Sequence, residues 1–318
     1  MYSYLRPSKT PPRGGKLIAD IDDLRDDILI KINDRKLSEI RTLKIDPGSE
    51  LLIPIGRTTR GYLLTMIRVY DPDPNSIEVR AIKNYPPSWR EPFLKSAEDY
   101  RAIDRFLNER YPEGFADRIS PAPERIFRAL ELCPLPKLKV VIIGQDPYTN
   151  DIADGLAFSV RPEKNLLAIK AGESLRNIFA EAKRSYPNFK YRPQCGDLTR
   201  WAEQGVLLLN AALTTELGNN TKAGAHKDKW NGVIYNILND ICQKKDFVVF
   251  VLWGSHAKKI AEKVDLNPGY KILTSRHPST MSYAPGAADN FAGCGHFLKI
   301  NEALIEKDIE PINWDLID

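Results

Sequence analysis

Four short apolar runs, each passing directly into polar and turn-forming residues, constrain this chain more than any other feature. The runs are Lys139–Ile143, Val206–Leu209, Phe247–Leu252 and Lys271–Leu273. Their length and β-branched content suit strands buried on both faces of a parallel sheet. Stretches of helical spacing separate them. In Ser174–Ser185, Leu175, Ile178, Phe179 and Ala182 follow i, i+3, i+4, i+7, and in Asp228–Cys242 the residues Trp230, Val233, Ile234, Ile237, Leu238 and Ile241 share one face. This alternation predicts an α/β fold, a three-layer α/β/α domain around a central, mostly parallel four-stranded sheet with right-handed crossovers.

An open parallel sheet binds ligands beyond the carboxyl ends of its strands. The residues just beyond the four runs would therefore face a ligand: Gly144-Gln145-Asp146-Pro147-Tyr148, Asn210-Ala211-Ala212-Leu213-Thr214, Trp253-Gly254-Ser255-His256, and Ser275-Arg276-His277-Pro278-Ser279. One cleft would then collect a carboxylate, an amide, an imidazole and several hydroxyls, a set suited to a small polar ligand and to chemistry on it. Each residue alone also has a plain structural explanation. Asp146 precedes a proline as Asx-turn residues do, Asn210 fits a strand-ending turn, Phe158 fits a core, and Ser174 and Ser255 fit helix caps.

A chain of 318 residues has room for about two domains. Residues 1–16, with four basic and no acidic side chains, three prolines and two glycines, read as a flexible basic arm. Residues 17–85 read as a small N-terminal module with no assignable motif. In it, helical spacing over Leu17–Asn33 precedes β-prone runs at Glu50–Ile55, Tyr62–Tyr70 and Ser76–Ile82, and Tyr85-Pro86-Pro87 is the expected linker. Residues 86–318 form the α/β domain. No stretch approaches the ~18 apolar residues of a membrane span, and the basic start lacks the apolar centre of a secretion signal, so the expected setting is intracellular, away from membranes. The four cysteines stand far apart with no C-x-x-C pair, which favours a reducing compartment and offers no metal or cluster site. A net charge of +4 permits an anionic partner without requiring one.

Taken together, VVIIGQDPY with GLAFSV, then GVLLLNAALT, VLWGS and HPS-x-x-S closely resemble, in this order and spacing, the uracil-DNA glycosylase family whose signature begins GQDPYH. The resemblance runs over roughly residues 88–318, including Pro311-Ile312-Asn313-Trp314, and leaves the first ~85 residues unmatched. It implies hydrolysis of the N-glycosidic bond of uracil in single- or double-stranded DNA after base flipping, leaving an abasic site for base excision repair. No cofactor and no metal are implied, and the expected form is a monomer working with DNA in nucleus or cytoplasm. The N-terminal module would be free to dock a protein partner.

The resemblance also implies roles. Asp146 would orient the attacking water and stabilise the cationic sugar. His277, used neutral, would donate to a uracil carbonyl oxygen as charge grows on the leaving base. Asn210 would read the N3–H and O4 edge, which cytosine presents with reversed polarity. Phe158 would stack on the flipped base, Tyr148 would exclude thymine's methyl group, and Gln145 would line the pocket. Ser174, Ser255, Ser279 and Ser282 match the phosphate-contacting positions, and Met281 matches the wedge that fills the vacated stack.

Thr149 departs from the pattern by standing where the signature has histidine. Thr280-Met281 replace Pro-Leu, a longer segment succeeds them at 283–290, and Lys170-Ala171-Gly172-Glu173 occupies the place of a proline-rich loop. Two other readings compete. A glycosylase of broader base specificity is disfavoured by Asp146 and Tyr148, because such relatives typically carry asparagine and lack the tyrosine barrier. A glycosylase-like DNA-binding scaffold or polymerase accessory factor is disfavoured by the complete set Asp146, Asn210 and His277.

Overall fold

The computed structural model describes residues 4–7, 50–58, 61–70, 76–77, 80–81, 86–218, 224–279 and 287–318. It divides into two compact units, 1–79 and 80–318, with the division falling shortly before the expected Tyr85-Pro86-Pro87 linker. In the first unit, β1 (Tyr4–Pro7), β2 (Glu50–Thr58) and β3 (Gly61–Tyr70) form an antiparallel sheet in the order β1-β3-β2. Tyr4–Pro7, inside the stretch read as a flexible arm, thus runs along β3 with Tyr4 opposite Tyr70. The helical spacing of Leu17–Asn33 lies outside the described residues. The β-prone reading of Ser76–Ile82 is overturned: Ile77, Arg80 and Ala81 are helical. Ile77 and Ala81 fall four apart and are both fully buried, a helical rather than an alternating relation.

The second unit is the expected three-layer α/β/α domain. β4 (Ile119–Ser120) and β7 (Thr215–Glu216) pair as a short antiparallel ladder. The central sheet comprises β5 (Val140–Gly144), β6 (Val206–Asn210), β8 (Val249–Trp253) and β9 (Lys271–Ser275), all parallel, in the order β6-β5-β8-β9. Each expected apolar run is a strand, although each strand extends one or two residues further, so that Gly144, Asn210, Trp253 and Ser275 end strands instead of lying beyond them. Every residue of β5, β6 and β8 is buried, as continuous apolar runs require. β9 is different: Lys271, Ile272 and Thr274 are exposed. It forms one edge of the sheet and, unlike β6 at the other edge, which helices cover, it leaves these side chains in solvent, so the expectation of full burial fails there.

Helices α1 (Arg90–Lys95) and α2 (Ala97–Arg110) precede α3 (Arg128–Leu132), α4 (Glu173–Ser185), α5 (Thr199–Glu203), α6 (Asn231–Lys244), α7 (Ser255–Ala261) and α8 (His296–Ile305). α1 and α2 pack on α6, and α4 packs on α8. Each group has its own aromatic cluster. Tyr100, Phe127 and Trp230 meet edge to face in one, with ring centroids 5.9 to 6.5 Å apart. Phe179, Trp201, Phe297 and Trp314 form the other, where Trp201 Nε1 donates to the Trp314 carbonyl at 2.7 Å. α4 buries Leu175, Ile178, Phe179 and Ala182 as their spacing predicts. α6 starts at Asn231 instead of Asp228 because Lys227–Lys229 is a single 3₁₀ turn. Among the described residues no helix is long and apolar enough to cross a membrane.

Candidate active site

The parallel strands deliver their carboxyl ends to one edge of the sheet, and register sets which residues meet there. Gly144 at the end of β5 pairs with Asn210 at the end of β6, and Trp253 pairs with Ser275. Beyond these ends lies a cavity of about 270 Å³ whose lining includes Gln145, Asp146, Tyr148, Phe158, Ser174, Asn210 and His277. That volume is just under the ~300–1,000 Å³ of pockets for drug-sized ligands, and suits something smaller.

Asp146 is half-buried, and both carboxylate oxygens are shielded from solvent without a hydrogen bond from the protein. Burial holds its carboxyl above the ordinary aspartate range. The Gln145 amide, near but outside hydrogen-bonding geometry, and the Lys227 ammonium pull the other way. A buried carboxylate that protein donors leave unsatisfied is able to accept from a water or to face a developing cation.

Asn210 is buried at the end of β6. Its amide occupies space that any other residue at 144 would fill: a Cβ on Gly144 would clash with Asn210 Oδ1 and come within 2.8 Å of the Ala157 methyl. The glycine that ends β5 is therefore there for close approach, not for a turn.

His277 lies just past β9. Its Nδ1 accepts the backbone N–H of Ser279 at 3.1 Å, so the neutral ring carries its proton on Nε2 and is a donor there. Burial holds its pKa below the ordinary histidine value, which favours that neutral form. Gly254, at φ 91°, brings the β8–α7 turn against this ring; a Cβ there would lie 3.0 Å from His277 Cβ.

Phe158 sits 5.9 Å from the His277 ring and 5.6 Å from Trp253, centroid to centroid. Its φ of 66° is left-handed, a conformation disfavoured for a phenylalanine by ~1–2 kcal/mol. The Tyr148 hydroxyl donates to the Phe158 carbonyl at 3.1 Å, and the Tyr148 carbonyl accepts from Ser120 Oγ at 2.6 Å. Burial holds the Tyr148 phenol well above its usual pKa, so it remains a donor.

The expected phosphate-contacting residues divide. Ser174 lines the cavity from the first turn of α4. Ser279 lines an adjoining cavity of about 260 Å³ that shares the His277 wall. Ser255 is exposed at the first turn of α7 and lines neither. Neither Ser174 nor Ser255 caps its helix; the N-cap positions are Gly172 and Gly254, which have no side chain to bond. Met281 and Ser282 lie outside the described residues. Thr149, the departure from the signature, also lines the cavity. Ala153, Gly155 and Leu156 line it without having been expected, although the GLAF stretch that holds two of them was the available signal. Lys227 acts on Asp146 from a separate turn, and no local pattern marks it. Among the described residues no group of three His, Cys, Asp or Glu side chains is placed to hold a metal.

Known proteins resemble this domain over most of its length. The profile of the uracil DNA glycosylase superfamily matches residues 130–305. A uracil-DNA glycosylase of Francisella tularensis subsp. novicida is 45% identical over 230 residues, covering 72% of this chain and 94% of the relative. One from subsp. holarctica is equally similar. Among solved structures, the mimivirus uracil-DNA glycosylase superposes with a TM-score of 0.63 at 31% identity, over 74% of this chain and 89% of that one. A variant of the mimivirus protein in complex with UGI matches at a TM-score of 0.64 and 31% identity, over 74% of this chain and 91% of that one.

Proposed function

The chain belongs to the uracil-DNA glycosylase superfamily, and from that membership we propose how its own residues carry the excision of uracil from DNA. The reaction is hydrolysis of the N-glycosidic bond of an extrahelical base, with release of free uracil and an abasic site left in the strand. The observation that carries the assignment of residues is the buried, unpartnered carboxylate of Asp146, a residue that lines the same cavity as Asn210 and His277.

In this reading the flipped base lies on the Phe158 ring, with its N3–H and O4 edge against the Asn210 amide and its C5 edge against Tyr148. Tyr148 is tied to Phe158 through its hydroxyl, which supports a rigid barrier to a C5 methyl group. Asp146 accepts a hydrogen bond from the attacking water and faces C1′ of the sugar. As the glycosidic bond breaks, positive charge grows on the sugar beside the carboxylate and negative charge grows on the base beside the His277 Nε2–H. Both groups are in place before reaction, which is where electrostatic catalysis gains most. Water adds to C1′, its proton passes toward Asp146, and uracil leaves as the anion stabilised by His277.

Ser174, Ser255, Ser279 and Ser282 are proposed to hold the DNA backbone, and Met281 to occupy the space left by the flipped base. Residues 1–85 are proposed to dock a protein partner, outside the chemistry. The direct test is release of free uracil by the full chain from a uracil-containing oligonucleotide, with a thymine-containing strand of the same sequence as control. Release from neither strand would remove the reading.

A further inference from the structure

On one wall of the cavity, segment 153–160 closes on itself through an antiparallel bridge between Ala153 and Val160. Inside it Asp154 is fully buried, yet it does not line the cavity. Its Oδ1 accepts from Arg125 Nη1 at 2.6 Å and faces Arg128 Nη1 at 3.6 Å. Its Oδ2 accepts from Ser159 Oγ at 3.0 Å. Ser159 is buried as well, and its Oγ accepts the Leu198 backbone N–H at 3.1 Å. Ser159 is the residue next to Phe158, the non-glycine at φ 66°. At Gly155 the turn presses against the backbone of Arg125, whose carbonyl occupies the place of a Cβ.

Burying a carboxylate is costly even when it is paired, and a left-handed phenylalanine persists only where its surroundings over-determine it. Here the two meet in one turn, joined by one serine hydroxyl. We propose that Asp154 is a positioning residue: anchored by Arg125 and Arg128, it holds Ser159 and so fixes the backbone turn that presents the Phe158 ring to the base. The proposal rests on the uracil-excision reading, since it needs a base to lie on that ring.

The test is a double-mutant cycle in the full chain, read by inhibition with free uracil and by kcat and KM on a uracil-containing oligonucleotide. Binding to an abasic-site oligonucleotide, which has no base to stack, is the reference, and Tm reports folding. Asp154→Asn is expected to raise the inhibition constant of uracil about tenfold, within the range a lost aromatic stack produces. Affinity for abasic DNA should stay within about twofold, because backbone contacts are untouched. In a Phe158→Ala background the same substitution should add nothing, as coupled residues do not add. Ser159→Ala cuts the link while leaving the ion pairs intact, and reports the same coupling if Asp154→Asn does not fold. An unchanged inhibition constant in folded variants, or a full additional loss on top of Phe158→Ala, would overturn the proposal. Wild type that releases no uracil would overturn the activity reading and this proposal with it, whereas active wild type with additive losses overturns this proposal alone.

Discussion

The Tyr148 hydroxyl donates to the Phe158 carbonyl at 3.1 Å, tying the side chain proposed to face C5 of the base to the residue proposed to stack beneath it. The tie joins the loop after β5 to the 153–160 turn, and both residues line the cavity. On the proposed reading this bond couples size exclusion to stacking, so a change at either residue should reach the other.

Tyr148→Ala should open the C5 side and allow thymine release from a thymine-containing oligonucleotide, measured by chromatography of the freed base. Tyr148→Phe keeps the ring and should keep thymine out. Its uracil turnover should fall only by the ~0.5–1.5 kcal/mol of one hydrogen bond, about two- to tenfold. No thymine release by Tyr148→Ala would place the barrier elsewhere.

Asp146→Asn and His277→Leu each remove a group proposed to be aimed at developing charge. Each should lower kcat by roughly 10²–10³-fold, while affinity for the uracil-containing strand changes little. Turnover equal to wild type in either variant would dismiss that residue from the mechanism.

Gly144→Ala tests the seat of Asn210. The added methyl meets Asn210 Oδ1 and the Ala157 methyl, an overpacking expected to cost about 1–3 kcal/mol of stability. It should also displace the amide, lowering kcat/KM for uracil more than it lowers affinity for abasic DNA. Unchanged stability and activity together would mean that Asn210 has room to move.

Acid should destabilise the fold through its histidines, all four of which burial holds below the ordinary value, His226 and His296 among them. His226 Nδ1 lies 3.0 Å from Thr214 Oγ1, which also accepts from Trp230 Nε1. His296 Nδ1 accepts from Trp253 Nε1 at 3.0 Å. Burial pushes both pKa values down to about 4. The unfolded chain, with histidine near ~6.5, binds these protons first, so stability is full above pH ~6.5 and falls as pH drops toward ~4, by up to ~1.4 kcal/mol per pH unit for each histidine. Buried carboxyls with raised values, such as Asp240, act in the opposite sense, so the histidine effect is read as the net slope between about pH 6.5 and 5. A Tm that stays level or rises from about pH 7 to 5 would contradict this.

Much of the fold is visible in local patterns. The apolar runs became β5, β6, β8 and β9, and the i, i+3, i+4, i+7 spacing of Leu175, Ile178, Phe179 and Ala182 became the buried face of α4. Where local pattern misled, position in the whole was the cause. Lys271–Leu273 looks like an inner strand but forms an edge, and Ile77 and Ala81 sit in a segment whose composition favours strand while their spacing favours helix.

By itself the sequence determined which residue types stand at the strand ends, and the order of those segments was specific enough to identify the family. Side-chain chemistry and short-range periodicity are written in consecutive residues, so they can be read without a fold. Only the tertiary structure decided that Asp146 is left without a donor, that His277 carries its proton on Nε2, that Asn210 lies against the bare Cα of Gly144, and that a buried Asp154 stands behind Phe158. Each of these depends on what distant segments bring or withhold. Strand register, burial and hydrogen-bond partners arise when the chain packs, and no stretch of neighbouring residues encodes them alone.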